Sequence, residues 1–279
     1  MTETIGLIAG NGTFPILFAR AARQKGVHVV AVAMQGETLE DINAEVDEIT
    51  WVRVGQVGKT ISAFKKANIT QAAMAGGVRK TRLFEGARPD MTGLKLLAKN
   101  LTRPDDGMLR TFAKAFEDEG IEIVDSTLYM PEALAPKGVL TKRDPTPEQW
   151  LELDYGYTIA RSVGELDIGQ TVIVKSGAVV ALEAIEGTDA CIKRAGELTK
   201  NKGAVMVKIA KPNQDMRFDV PAIGVETLNA LESAGIELLG IDAGRTLMLD
   251  KEAILLAANK RKIIIVGLNQ ELLTAKVES

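Results

Sequence analysis

Between residues 208 and 224 the chain reads KIAKPNQDMRFDVPAIG, which sets Asp215 and Asp219 among Lys208, Lys211 and Arg217. The preceding run AVMVKIA is apolar, β-branched and of strand length, and Pro212 and Asn213 follow it as turn formers. Asp215, Arg217 and Asp219 are therefore expected on a loop beyond a strand end, and they share one face if the loop stays extended. Two carboxylates that resist joint desolvation suit a hard cation, while Lys208, Lys211 and Arg217 suit a phosphate. A surface loop closed by its own ion pairs would use the same residues.

A second chemical pattern stands at the start. TIGLIA reads as a buried strand, GNGTFP as a turn and ILFARAARQKG as an amphipathic helix. Gly10 and Gly12 relieve crowding in the turn, so Gly10, Asn11, Gly12 and Thr13 would offer a helix N-terminus to an anion. A tight βα turn without a ligand has the same appearance. The spacing departs from the dinucleotide G-x-G-x-x-G at its third glycine, where Pro15 instead suits a first helical turn. GQVGKT is not a Walker loop, because the required first glycine falls on Arg53. After the strand TQAAMAGGV come Arg79, Lys80 and Arg82, expected beside residues 10–13 at the carboxyl ends of the strands. Further on, Glu183, Glu186 and Asp189 form another acidic group, with Gly187 and Thr188 opening a helix that Asp189 could equally cap. Asp105 and Asp106 likewise suit a helix cap.

The remaining composition narrows the chemistry. The 279 residues are 46% hydrophobic and 25% charged, as in a soluble globular protein of about two domains. With 4% aromatic residues and a net charge of −3, stacking surfaces and polyanion faces are poorly supplied, which points away from nucleic acid. The one cysteine, Cys191, reads as helix core, and the one histidine, His28, sits in an apolar strand with no acid partner nearby in sequence. Histidine-based nucleophilic catalysis and Cys/His zinc sites are thereby disfavoured, and a metal is expected to be oxygen-liganded. The N-terminus lacks the pattern of a signal peptide and no apolar run approaches about 18 residues, so a cytoplasmic protein is expected.

Strands at TIGLIA, VHVVAVAM, ITWVRVG, TQAAMAGGV and IEIVD alternate with helices, which predicts a doubly wound Rossmann-like N-terminal α/β domain over 1–132. The proline-rich 133–146 is expected as a linker. From 147 to 279 a helix, a hairpin turning at Lys175, Ser176 and Gly177, and alternating helices and strands predict a mixed α/β domain. That stretch includes RTLMLD as a strand after a turn at Ala243 and Gly244.

Taken together, GLIAGNGTFP, SGAVVALEAIEGTDACIKRAG, KIAKPNQDMRFDVPAIG and AGIELLGIDAGRTLMLD resemble the LpxI family of UDP-2,3-diacylglucosamine pyrophosphatases over nearly the whole chain. The resemblance implies two α/β domains with a ligand cleft between them. It also implies Mg²⁺-dependent hydrolysis of UDP-2,3-diacylglucosamine to UMP and 2,3-diacylglucosamine 1-phosphate (lipid X) in lipid A biosynthesis. The essential aspartate of the family falls on Asp219, with Asp215 the nearby alternative. On this basis Asp219, Asp215 and Asp189 are expected to bind Mg²⁺ or orient water, and Lys211 and Arg217 to contact the diphosphate. Residues 10–13 and Arg79 would hold the UDP portion, with Lys208, Gly187 and Thr188 also at the substrate. Peripheral contact with the inner membrane is compatible with a diacylated substrate, and the oligomeric state stays open. Two other classes fit parts of the sequence: an NAD-dependent nucleotide-sugar enzyme, and a noncatalytic nucleotide-glycolipid binding module. The missing third glycine and the Met34, Gln35, Gly36 ending of the second strand oppose the first; the clustered carboxylates oppose the second.

Overall fold

The computed structural model describes residues 3–78, 88–99, 105–212 and 214–277. Its packing divides the chain into one unit of Met1–Pro131 with Asp215–Asp219, and a second of Glu132–Gln214 with Val220–Ser279.

In the first unit, β1 (Thr4–Ala9), α1 (Phe14–Gln24), β2 (His28–Met34), β3 (Glu48–Val52), α2 (Val57–Lys66) and β4 (Gln71–Ala75) come in turn. They are followed by α3 (Met91–Lys99), α4 (Asp105–Glu117) and β5 (Glu122–Val124). All five strands anticipated from the apolar runs form, and they make one parallel sheet in the order β3-β2-β1-β4-β5. That order reverses between β1 and β4, as in doubly wound folds. Val57, Ile61 and Phe64 of α2 and Ala113 and Phe116 of α4 pack with Ile8, Val30, Val32 and Val52. Each buried Val, Ile or Phe side chain among them contributes roughly 1.5–3 kcal/mol. Pro15 lies in the first turn of α1, as its fixed φ and missing N–H allow.

Asp215–Asp219 groups with this unit through its side chains. Phe218 packs on the same apolar cluster, and Arg217 Nη1 pairs with Glu117 Oε1 at 3.2 Å. Ser126 Oγ donates to the Met216 carbonyl at 3.1 Å.

The second unit carries β6 (Gly138–Val139), α5 (Pro147–Glu165), β7 (Thr171–Lys175), β8 (Ala178–Leu182), α6 (Thr188–Thr199) and β9 (Ala204–Lys208). Then come β10 (Ala222–Ile223), α7 (Val225–Ser233), β11 (Ile236–Asp242), β12 (Leu247–Met248), α8 (Lys251–Arg261), β13 (Ile264–Leu268) and α9 (Gln270–Val277). Six strands order as β6-β13-β11-β9-β7-β8. The central β13, β11 and β9 are parallel, while β7 runs antiparallel to both β9 and β8. The mixed α/β reading with a hairpin is thus correct. Thr146 and Gln149 cap α5 reciprocally, with Pro147 at its start.

Three local features differ from expectation. Residues 133–146, read as a linker, contain β6 on the sheet edge and a bridge from Leu134 to Leu247. RTLMLD yields only the two-residue β12, which pairs parallel with β10 and not with β11. The Arg245 and Thr246 amides both donate to the Asp242 carbonyl, and this tight turn directs the chain away from β11. Finally, Gly187, with φ of 84°, is the cap of α6, which leaves Asp189 exposed in the first turn. There its charge still complements the helix dipole.

Cys191 is buried on α6, and burial pushes its thiol up to about 11, as a core residue requires. Among the described residues no helix is long and apolar enough to cross a membrane.

Candidate functional site

Beyond β9 the chain turns at Lys211, whose amide donates to Gln214 Oε1 at 2.8 Å while the Gln214 amide returns a bond to the Lys211 carbonyl. Lys211 Nζ meets Asp167 Oδ1 at 2.5 Å. Asp215 is engaged at both oxygens: Arg217 Nε reaches Oδ1 at 3.0 Å and Nη2 reaches Oδ2 at 2.9 Å. This fork holds the Asp215 carboxyl below the usual range. Arg217 also lies over the Phe218 ring at 4.8 Å. The loop is therefore partly closed by its own ion pairs. Asp219 stands at its end, exposed, with its amide donating to the Asp215 carbonyl at 3.2 Å.

The sequence-predicted residues divide between the units. Asp215, Arg217 and Asp219 belong with the first; Lys208, Lys211, Gly187, Thr188 and Asp189 belong to the second. Lys208 is buried, with Nζ 3.4 Å from the Ala222 carbonyl. Thr188 Oγ1 donates to Glu183 Oε1 at 2.8 Å, so Thr188 and Glu183 join at the start of α6. Among the described residues no three His, Cys, Asp or Glu side chains gather as a metal cage. Arg79 lies outside the described residues.

Residues 10–13 join β1 to α1 where the strand order reverses. The Gly10 amide donates to the Ala75 carbonyl and the Asn11 amide to the Gly77 carbonyl, both at 2.8 Å, so this turn interlocks with the one after β4. A Cβ on Gly10 would fall 2.4 Å from the Gly77 carbonyl oxygen, and one on Gly76, where φ is +77°, 2.2 Å from that of Asn11. Both glycines are needed for this approach. The Thr13 hydroxyl makes no cap bond.

Two acids escaped the sequence reading. Glu37, just beyond β2, is 5% exposed, and its Oε2 accepts from Asn11 Nδ2 at 3.4 Å. Asp242 closes β11 at 3% exposure, where Oδ2 accepts from the Ala210 amide at 2.9 Å. Burial pushes the Asp242 carboxyl up, against the pull of the Ala210 amide, the Tyr157 hydroxyl, and the Arg245 and Arg161 guanidiniums. Arg245 Nη2 in turn donates to the Lys211 carbonyl at 3.3 Å. Asp242 and Arg245 thus hold the backbone of Ala210 and Lys211 from both sides. An acid ending an apolar strand was the available signal for Asp242.

The raised Asp242 carboxyl is expected to make stability depend on pH. Its folded form keeps a proton more tightly than the unfolded one, which titrates near 3.8, so this group lowers stability as pH rises from there through its folded value. Asp242→Asn retains an acceptor for Ala210 and is expected to remove that decline. Urea midpoints of both proteins between about pH 4 and about pH 7 check this; parallel profiles would exonerate Asp242.

His28 has acid partners that are distant in sequence: Glu48, which opens β3, lies 3.3 Å and Asp47, just before β3, 3.8 Å from its ring. The group sits at the amino end of β2, at the far end of the strands from residues 10–13.

Models of the LpxI N-terminal domain and the LpxI C-terminal domain match residues 4–133 and 136–266. The chain belongs to the LpxI family. The relative named UDP-2,3-diacylglucosamine pyrophosphatase LpxI, from Caulobacter vibrioides, is 34% identical over 277 residues, covering 96% of this chain and 98% of the relative. Among solved structures, the biotin carboxylase domain of a thermophilic 2-oxoglutarate carboxylase bound to ADP is 15% identical, at a TM-score of 0.27 over 63% of this LpxI chain. N5-carboxyaminoimidazole synthetase from Staphylococcus aureus is 13% identical, at 0.25 over 70%. This chain spans about a third of the former (35%) and under half of the latter (44%), and such scores bear on neither function nor site.

Proposed function

We propose that this LpxI family member hydrolyses the diphosphate of UDP-2,3-diacylglucosamine, releasing UMP and 2,3-diacylglucosamine 1-phosphate for lipid A biosynthesis. The observation that carries the reading is its 34% identity, through both domains, to the Caulobacter vibrioides enzyme of that name. In this reading the enzyme works in the cytoplasm and meets its diacylated substrate at the inner membrane face.

Phosphoanhydride hydrolysis needs charge neutralised on two phosphates, a water oriented for attack, and a stabilised leaving phosphate. Mg²⁺ typically uses one or two carboxylates together with substrate oxygens, so an exposed single carboxylate fits it without a protein cage. Asp219 is the exposed carboxylate of the loop and the position on which the family's essential aspartate falls, and Asp215 is tied to Arg217 by a two-point fork. Asp219 would therefore hold the ion, with Asp215 orienting Arg217 and Asp189 a further candidate ligand. Mg²⁺ supplies Lewis-acid stabilisation of the phosphoryl oxygens. Lys211 and Arg217 bring positive charge to the diphosphate, with Lys208, Gly187 and Thr188 also at the substrate. Residues 10–13 and Arg79 receive the UDP portion, where the start of α1 favours an anion.

The test is incubation of the purified protein with UDP-2,3-diacylglucosamine, with Mg²⁺ and with EDTA, and the products weighed by mass spectrometry. Release of UMP and lipid X that stops in EDTA and returns with Mg²⁺ is expected. A rate unmoved by EDTA would remove the metal from the reading, and no release by folded protein would remove the hydrolase.

A further inference from the structure

β9 stops pairing with β11 after Lys208, and the chain that leaves it is caught at once. Ala210 is fully buried beyond the last strand pair, and Asp242, the final residue of β11, turns its side chain to it, Oδ2 accepting from the Ala210 amide at 2.9 Å. Lys211, the next residue, is held at its amide, its carbonyl and its side chain. The amide donates to Gln214 Oε1 at 2.8 Å, the carbonyl accepts from the Gln214 amide at 3.0 Å and from Arg245 Nη2 at 3.3 Å, and Nζ meets Asp167 Oδ1 at 2.5 Å. α5 backs this turn: Tyr157, Arg161 and Gly164 share one face at helical spacing, and a Cβ on Gly164 would lie 3.2 Å from Pro212 Cδ and 3.6 Å from the Lys211 Cα. From the same face the Tyr157 hydroxyl bonds the Asp242 carboxyl. Asp167 stands just past the carboxyl end of α5, a place that the helix dipole does not favour for an acid, and there its carboxylate meets Lys211.

We propose that Asp242 and Arg245 are positioning residues for Lys211: Asp242 fixes the Ala210 amide from the buried side and Arg245 the Lys211 carbonyl, which sets where the lysine leaves the sheet and where its ammonium stands. The proposal rests on the role given to Lys211 in the hydrolysis proposed above. A lysine carries its charge on a flexible four-carbon stem, so the aim of the ammonium depends on how firmly its base is held. Charges that stabilise a transition state act best when they are in place before the reaction begins. A displacement of about 1 Å, caused by a change remote from the chemistry, costs up to about 10²-fold. Asp242 is 3% exposed, so it acts through Lys211 and not on the substrate itself. Asp167 gives the ammonium a partner in the free protein, and the backbone bonds keep its base fixed when the partner changes to a phosphate.

The experiment is a double-mutant cycle on hydrolysis by the full chain, with amide hydrogen exchange measured on the same proteins. Asp242→Ala is expected to lower kcat/KM about tenfold, while Asp242→Asn, which keeps an acceptor for Ala210, stays within about threefold of the unaltered protein. In a Lys211→Ala background the further change Asp242→Ala should cost less than about twofold, because the residue it positions is gone. Losses that multiply overturn the proposal, since a purely structural role adds to the loss of Lys211 independently. Exchange at Ala210 and Lys211 is expected to run about tenfold faster in Asp242→Ala and to stay unchanged in Asp242→Asn. Should Asp242→Ala not fold, Arg245→Gln, which releases the Lys211 carbonyl, takes its place in both measurements with the same expectations. Exchange reports without turnover: folded variants that exchange like the unaltered protein overturn the positioning, whereas faster exchange in a protein that hydrolyses nothing removes the hydrolase and keeps the hold on Lys211.

Discussion

Replacing Asp219 with alanine should lower kcat for UDP-2,3-diacylglucosamine by about 10²–10³, the usual loss when a group that stabilises transition-state charge is removed. The expectation follows from how differently the two aspartates of the loop are used. Asp215 spends both oxygens on the Arg217 fork, which fixes the bend that carries Phe218 and Met216. Asp219 is exposed at the end of that bend. A thermal melt of Asp219→Ala separates that loss of rate from any loss of fold. Asp215→Ala should instead lower the melting temperature, because it removes the two-point fork that fixes Arg217 and leaves it only its Glu117 pair. Steady-state rates and melts on both variants decide it: full activity in folded Asp219→Ala would return the role to another residue.

Gly10→Val should cost roughly 3 kcal/mol, at the upper end of overpacking penalties. The new Cβ would meet the Gly77 oxygen at 2.4 Å, the Gly76 oxygen at 2.6 Å and the Gly76 carbonyl carbon at 2.7 Å. These are backbone atoms with no rotamer to yield, on a turn whose own glycine leaves no slack. A loss of that size lowers the melting temperature of a domain this large by about 6–12 °C. UMP binding should weaken with it, since residues 10–13 shift. A melt that does not move would mean the two turns separate more easily than their hydrogen bonds indicate.

The strands that bear the site were legible because each is an apolar, β-branched run of ordinary length. VHVVAVAM and AVMVKIA both form buried strands, the first in an all-parallel sheet and the second between parallel β11 and antiparallel β7. The glycine turn was legible from spacing alone, since only a strand and a helix can flank GNGTFP in that order. What could not be read were elements whose existence depends on a distant partner. Gly138–Val139, Ala222–Ile223 and Leu247–Met248 are two-residue strands with too little sequence to show a period. α9 is a short terminal helix of weak amphipathicity, drawn into order by packing on α5. Glu37 was hidden for a related reason: it follows β2 by three residues, and only the sheet order brings it to Asn11. Similarly, the Asp215–Arg217 pairing was available from spacing, but its partner Glu117 is about one hundred positions away and had no sequence signal.

The grouping of Asp215–Asp219 with the first unit makes the protein a poor candidate for modular exchange. The polypeptide passes from one unit to the other at 131–132, at 214–215 and again at 219–220. A fragment beginning at residue 132 would carry Arg217 and Phe218 without Glu117 and without the apolar cluster they complete. A swap of halves between two homologues would likewise mismatch five residues against a surface they did not evolve with. For this architecture the heritable unit is the whole chain, and substitutions on α4 and on the loop 215–219 are expected to change in concert.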